Sequence, residues 1–341
     1  MVDDERRRVL AGTAFLAMGF GALKASAQSE IGKAGQIKRR LDPARLPFAN
    51  LPSQGTINDR ADAYVQSAIS LSRVAALTTR CVLDVPYGPG HAQRLDIYLP
   101  NDESARDLPI FVNIHGGAWR WGYKEWMGLN APPIIDAPAI YVSVEYALSP
   151  AARHPTQLDD CTAAVAWVRK NIGRYGGDQN RIHIGGHSAG AHLAALLTLR
   201  RDRLERFGLP QDVIKACLIC SGAYDFRDPA IYGLPAKNAF LDDFLASPTD
   251  AGDASPISWV GGNTTPFFVT WGENDRDDAK ITAPAFLTAL REQPGRAEGY
   301  MFPLLDHYWM HLAQQSANNL WVKTVVAWLN GDPKHTPVPK V

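Results

Sequence analysis

The chain has 341 residues, 46% of them hydrophobic and 21% charged, which is the composition of a globular protein with ample core material. Lys and Arg total 35 and Asp and Glu total 35, so there is no basic field to hold nucleic acid or acidic lipid. Four cysteines are too few for a disulfide scaffold and match no zinc spacing. Past the N-terminal region, no apolar run approaches the roughly 20 residues of a membrane span. A soluble enzyme or binding protein remains.

Arg6, Arg7 and Arg8 precede an apolar run from Val9 to Leu23, followed by Lys24 and then Ala25, Ser26 and Ala27. A charged start, an apolar stretch and an A-x-A site are the parts of a secretory signal peptide. The arginines, the Gly/Ala-rich run and Lys24 resemble a twin-arginine export signal. The alternatives are an amphipathic start helix or an uncleaved anchor, for which the run is short. Residues 1–27 are therefore expected to direct export to the periplasm or medium, without a stable membrane anchor.

Residues 28–79 read as an extension. It begins polar and Pro-bearing, and ends in a helix over 57–79, where Ala61, Tyr64, Val65, Ala68, Ile69, Leu71 and Ala75 recur near the helical period. Alternating segments at 81–87 and 94–99 flank Gly88, Pro89 and Gly90 as a hairpin-like pair. Short apolar runs at 110–114, 140–144, 181–185, 216–220, 267–271 and 299–305 then read as buried strands. Helical segments at 156–170, 189–203, 279–292 and 312–329 lie between or after them. That alternation predicts an α/β domain over 80–330, with a mostly parallel sheet and helices on both faces. Residues 225–265, rich in Pro, Gly and Asp, fit a lid-like excursion between two strands. Residues 331–341 are a Pro-rich tail.

Gly186, His187, Ser188, Ala189 and Gly190 form G-x-S-x-G between a strand and a helix. This context lifts a serine hydroxyl above a sheet beside the positive end of a helix. The competing reading is a glycine-rich turn with a capping serine. Upstream, a strand runs into His115, Gly116, Gly117, Ala118 and Trp119. A Gly-Gly turn there lets backbone N–H groups approach a substrate without Cβ interference, as an oxyanion site requires.

The pair HGGAW and GHSAG, with Glu145–Asp160 between them and Ser221–Asp225 after them, resembles the hormone-sensitive-lipase and kynurenine-formamidase side of the α/β-hydrolase superfamily. The resemblance covers roughly 80–330. It implies an α/β-hydrolase fold and a small-molecule ester as substrate, with no cofactor and no metal. It also implies an oxyanion hole from the amides of Gly117, Ala118 and Ala189, with His115 holding the loop. Where lipase-like members often carry a third glycine, this chain has Ala118. Such hydrolases resemble dimers as often as monomers, which leaves a homodimer open.

In this fold the order is Ser, then Asp or Glu, then His. His192 lies in the helix that Ser188 opens, His335 in the tail and His311 in the next helix. His307 follows the strand ending at Leu305, where the base belongs. The acid is expected at Asp275, after strand 267–271. Glu273, Asp277 and Asp278 compete as solvated loop or helix-start charges, and Asp225 is a weaker rival. The catalytic set is therefore expected to be Ser188, Asp275 and His307.

Trp119, Arg120, Trp121, Tyr123, Lys124 and Trp126 crowd the sequence after the oxyanion turn. Trp119, Trp121 and Tyr308 are candidates for a pocket wall that accepts a flat group, and packing at the sheet edge is the alternative for each. His183, His187 and His192 lack a carboxylate at ligand spacing, so structural roles are expected rather than a metal. Cys217 and Cys220 lie within one strand and should face opposite sides of the sheet. Whether Cys81 and Cys161 pair is open. The favoured function is a serine esterase, with an aryl-formamidase as the alternative enzyme and a non-catalytic binding protein as the third reading.

Overall fold

The computed structural model describes residue 48 and residues 51–228 and 239–331. The expected export signal, His335 and positions 229–238 of the expected lid lie outside the described residues.

Helix α1 spans Asp59–Thr78 and is capped by Asn58, whose side chain accepts from the Ala61 amide at 3.0 Å. Asp59 and Asp62 in its first turn complement the positive end of the helix. Strands β1 (Arg80–Pro86) and β2 (Arg94–Leu99) form the expected antiparallel pair. β2 then runs antiparallel to β4 (Ile140–Val144). From there the pairing is parallel through β3 (Leu108–Ile114), β5 (Gly177–His187), β6 (Ile214–Cys220), β7 (Phe267–Asn274) and β8 (Ala297–Asp306). The order across the sheet is β1-β2-β4-β3-β5-β6-β7-β8. The chain leaves β3 toward β4 and returns past it to β5. Ligands of open α/β sheets bind at such a reversal, beyond the C-terminal strand ends.

All seven residues of β3 are buried, as expected of a strand covered on both faces. Ile110, Val112 and Ile114 join one apolar core, and Phe111 joins the other on the opposite face. The same alternation sends Cys217 to the first core and Cys220 to the second. All four cysteines are free thiols. Among the described residues the remaining α-helices are α2 (Ala131–Ile135), α3 (Thr156–Asn171), α4 (Ala189–Leu199), α5 (Arg201–Arg206), α6 (Ala239–Phe244), α7 (Asp277–Arg291), α8 (Trp309–Leu312) and α9 (Leu320–Leu329). None of the described helices is long and apolar enough to cross a membrane.

Two predicted helices are divided. The segment 189–203 breaks at Arg200 (φ −80°, ψ 78°), whose guanidinium is held by Asp202 at 2.8 Å and Asp253 at 2.9 Å and lies 4.0 Å from the centre of the Trp259 ring. The segment 312–329 begins at the last residue of a short helix (Trp309–Leu312), passes through a 3-10 turn and starts a new helix at Leu320. There the Asn319 side chain accepts from the Trp321 and Val322 amides. A side-chain acceptor at that position favours starting a helix over continuing one. The described part of 225–265 packs onto the body: Phe244, Leu245 and Ala254 are buried, and the Phe244 carbonyl accepts from the His154 amide at 2.7 Å.

Candidate active site

Ser188 stands between β5 and α4 with φ 56° and ψ −121°, a conformation that leaves its hydroxyl projecting from a sharp turn. The turn is possible because α4 sits directly on the end of β3. A Cβ on Gly190 would lie 2.0 Å from the Ile114 carbonyl oxygen, so only glycine fits there. The Ser188 amide donates to the Cys220 carbonyl at 3.0 Å, fixing the turn against β6.

Ser188 Oγ lies 2.9 Å from His307 Nε2, and His307 Nδ1 lies 2.7 Å from Asp275 Oδ1. A carboxylate only accepts, so this pairing puts a proton on Nδ1 and leaves Nε2 to receive the serine proton. Asp275 is 5% exposed. Burial alone would raise its pKa. The hydrogen bond from His307 and the charge of that ring when it is protonated, with donors Ser221 Oγ and the Gly272 amide, drive it far below the usual carboxylate range instead.

The rival carboxylates are engaged elsewhere. Glu273 accepts from the Leu304 amide at 2.8 Å, Asp277 pairs with Lys280 at 2.9 Å, Asp278 with Arg276 at 3.1 Å, and Asp225 with Arg227 at 2.7 Å. The rival histidines are equally committed. His192 Nδ1 accepts from the Trp119 indole at 3.1 Å and its Nε2 donates to the Ala254 carbonyl at 2.7 Å. His311 Nδ1 accepts from the Tyr64 hydroxyl at 2.9 Å and its Nε2 donates to Asn130 Oδ1 at 2.8 Å. Burial pushes both pKa values down to about 3. His187 donates from Nε2 to the His307 carbonyl at 2.8 Å. His183 Nδ1 lies against the Arg181 carbonyl at 3.3 Å, so the three histidines of 183–192 do not converge.

The loop after β3 is built from left-handed backbone. Gly117 has φ 111°, and a Cβ there would meet the Trp121 carbonyl at 2.0 Å; Ala118 and Trp119 follow at φ 51° and 58°. His115 anchors the loop through Gly116 O at 2.7 Å and Glu145 Oε1 at 3.0 Å, with its ring stacked on Tyr146. Among the described residues no acceptor takes up the Gly117 or Ala118 amides. Ala189 opens α4, so its N–H is one of the free donors of a first helical turn. All three residues line the space around Ser188.

That space has two compartments meeting at Ala118, Ser188, Arg276 and His307. One is walled by Trp119, Ala189, Ser221, Ala223, Phe226, Leu241 and Asp278. The other is walled by α1 and the aromatic loop, with Ile57, Tyr64, Val65, Trp121, Trp126 and Tyr308. Trp119, Trp121 and Tyr308 thus all border the cavity, but Trp119 faces the opposite compartment from the other two. Arg120 is turned to Asp243, and the Tyr123 hydroxyl to the Pro52 carbonyl. Lys124 is buried against Asp84 at 2.8 Å, Asp96 at 3.1 Å and Glu125. A buried ammonium requires such partners, which is why this residue does not reach the cavity. Tyr64, Phe226, Leu241 and Arg276 were not legible as site residues, since nothing local in the sequence marks them.

A mostly parallel eight-stranded sheet that carries a strained serine after β5, a carboxylate after β7 and a histidine after β8 defines an α/β-hydrolase fold. The crystal structure of EstE1, a thermophilic carboxylesterase from a metagenomic library, superposes with a TM-score of 0.66 over 83% of this chain and 99% of that one, at 21% identity. The BD-FAE family model matches residues 95–280, more than half of the chain, and the chain belongs to that family. Esterase LipQ of Mycobacterium tuberculosis is 33% identical over 246 residues, covering 67% of this chain and 56% of LipQ. Kynurenine formamidase of Danio rerio is 32% identical over 170 residues, covering 50% of this chain and 55% of the relative. The chain therefore matches little more than half the length of these curated relatives.

Proposed function

We propose that the protein is a serine hydrolase that cleaves carboxylic esters through an acyl-enzyme. The observation that carries this reading is the unbroken chain from Ser188 Oγ to His307 Nε2 at 2.9 Å and from His307 Nδ1 to Asp275 Oδ1 at 2.7 Å, opening on a cavity. Ser188 Oγ attacks the acyl carbon while its proton passes to His307 Nε2. The carbonyl oxygen becomes an oxyanion held by the amides of Gly117, Ala118 and Ala189. Asp275 stabilises the imidazolium, which then protonates the departing alcohol. Water, deprotonated by His307, attacks the acyl-enzyme in the same geometry and frees Ser188.

The esterase names among the relatives support the ester as substrate, and the kynurenine formamidase among them supports a formamide as the second reading. The pattern at Arg6–Ala27 favours export, and with it the esterase over an enzyme of cytoplasmic amino-acid breakdown. The test is kcat/KM for p-nitrophenyl esters of increasing chain length beside N-formylkynurenine, with Ser188→Ala as the blank. A formamide value above that of the best ester reverses the order. Hydrolysis of neither, or equal hydrolysis by Ser188→Ala, removes the reading.

A further inference from the structure

Ser221 lies outside the Ser188–His307–Asp275 chain yet touches it. It follows β6 directly at φ 57°, is 2% exposed, and its amide donates to the Thr270 carbonyl at 2.8 Å. A left-handed position is one that glycine fills without strain, whereas this chain keeps a hydroxyl there. That hydroxyl donates to Asp275 Oδ2 at 2.6 Å. The carboxylate has four donors in all: His307 Nδ1 at 2.7 Å and the Arg276 amide at 2.8 Å on Oδ1, with Ser221 Oγ and the Gly272 amide at 3.1 Å on Oδ2. Three of the four belong to β7 or to the segments that follow β7 and β8. Ser221 is the one brought from β6.

We propose that Ser221 is a positioning residue for the acid–base pair: its hydroxyl pins Asp275 Oδ2 so that Oδ1 faces His307 Nδ1, and it draws negative charge away from Oδ1. This rests on the esterase reading of the same site. Without the hydroxyl, Oδ2 keeps only the longer Gly272 bond, and the carboxylate is held less firmly against turning about its Cβ–Cγ bond. Its charge is then concentrated toward His307, which favours the imidazolium and leaves less neutral His307 to accept the serine proton near neutral pH.

The other titratable or charged groups facing the pair are Arg276 with Asp278, Tyr308 at 5.6 Å and His187 at 4.7 Å between ring centres, Cys220 at 3.7 Å from Ser221 Oγ, and His311 stacked behind His187. A change at Ser221 takes one contact from the Cys220 thiol and touches none of the others. Burial holds His187 and His311 neutral and the Cys220 thiol protonated, so they add no charge to the balance near neutral pH.

The test compares Ser221→Ala with Ser221→Gly in kcat, KM and the pH profile of kcat/KM. Loss of one hydrogen bond to a charged group predicts a fall in kcat of about tenfold in both variants. KM should stay near the wild-type value. The acid limb of the profile should move to higher pH by about half a unit, in the same direction for both. If the residue served only the backbone turn, Ser221→Gly would match or exceed wild type, and that result overturns the proposal. So does an acid limb that superimposes on wild type, or an effect confined to KM. Should Ser221→Ala fail to fold, Ser221→Gly, which relaxes the left-handed turn, still decides the question. A wild-type enzyme that hydrolyses no ester refutes the underlying reading. An active wild type with indifferent variants refutes only the role of Ser221.

Discussion

Replacing Asp275 by Asn keeps the shape of the side chain and removes its charge. In the proposed mechanism the imidazolium that forms on His307 during attack lies against Oδ1, with Nδ1 at 2.7 Å, in a site where Asp275 is 5% exposed. Two unit charges about 4 Å apart at an effective dielectric near 20 attract by about 4 kcal/mol. Losing that attraction in the transition state corresponds to roughly a 10³-fold fall in kcat. Geometry adds to it, because an amide has one accepting end and one donating end. If the NH₂ faces His307, Nδ1 must accept, the ring proton moves to Nε2, and the Ser188 proton has nowhere to go. If it faces Ser221, that hydroxyl can rotate to accept, but the Gly272 amide meets a donor. Steady-state hydrolysis of p-nitrophenyl butyrate at pH 7.5, with a thermal melt to establish folding, measures the loss. Asp277→Asn and Asp278→Asn should fall far less, since those carboxylates pair with Lys280 and Arg276. Asp275→Asn within tenfold of wild type, or a larger loss in Glu273→Gln or Asp225→Asn, would refute the assignment.

Ser188→Ala and His307→Ala should each lower kcat by on the order of 10³-fold or more, and the double variant should be scarcely worse, since nucleophile and base act as one unit; losses that multiply would show two independent contributions. Stability should decline in mild acid. Burial lowers the pKa of His183 to about 4 and those of His192 and His311 to about 3, so between these values and about 6.5 the unfolded chain binds protons that the folded one refuses. Each histidine then costs about 1.4 kcal/mol per pH unit as pH falls, with the full stability present above about pH 6.5; a urea midpoint unchanged from pH 7 to pH 5 would contradict this. Export predicts that protein isolated from its host begins at Gln28 or close by, and Edman sequencing that finds an intact Met1 in the soluble cytosolic fraction would exclude it.

The sheet was readable because each central strand is buried on both faces and so appears as a short, nearly continuous apolar run. The serine turn and the glycine loop after β3 were readable because glycine is required where backbone meets backbone, as at Gly190 against Ile114. What escaped was set by distant partners. The aromatic run 119–126 looks like one wall, but left-handed backbone at 117–119 and at Gly122 (φ 109°) turns successive side chains to different sides of the loop. Helix α1 reads as a prefix to the domain, outside the 95–280 match. Yet its Tyr64 crosses 247 positions of sequence to bond His311 and lines one compartment of the cavity. No local pattern encodes that pairing.

The choice of base shows what chain position alone leaves out. His192 and His311 are as buried as a catalytic histidine and lie on elements adjoining Ser188 and His307. Each has one ring nitrogen donating and the other accepting within the protein, so neither can take a proton without breaking a bond already made. His187 is tied through Nε2 to the backbone of His307 and covers the His307 ring with a neutral face. His307 differs in that its Nδ1 is committed to a carboxylate while its Nε2 faces a hydroxyl at the cavity. A general base therefore differs from a structural histidine by the kind of partner on each nitrogen, a carboxylate behind and a reacting proton in front. Exchanging that rear carboxylate for an amide tests this distinction directly, because it changes the partner and leaves the position alone.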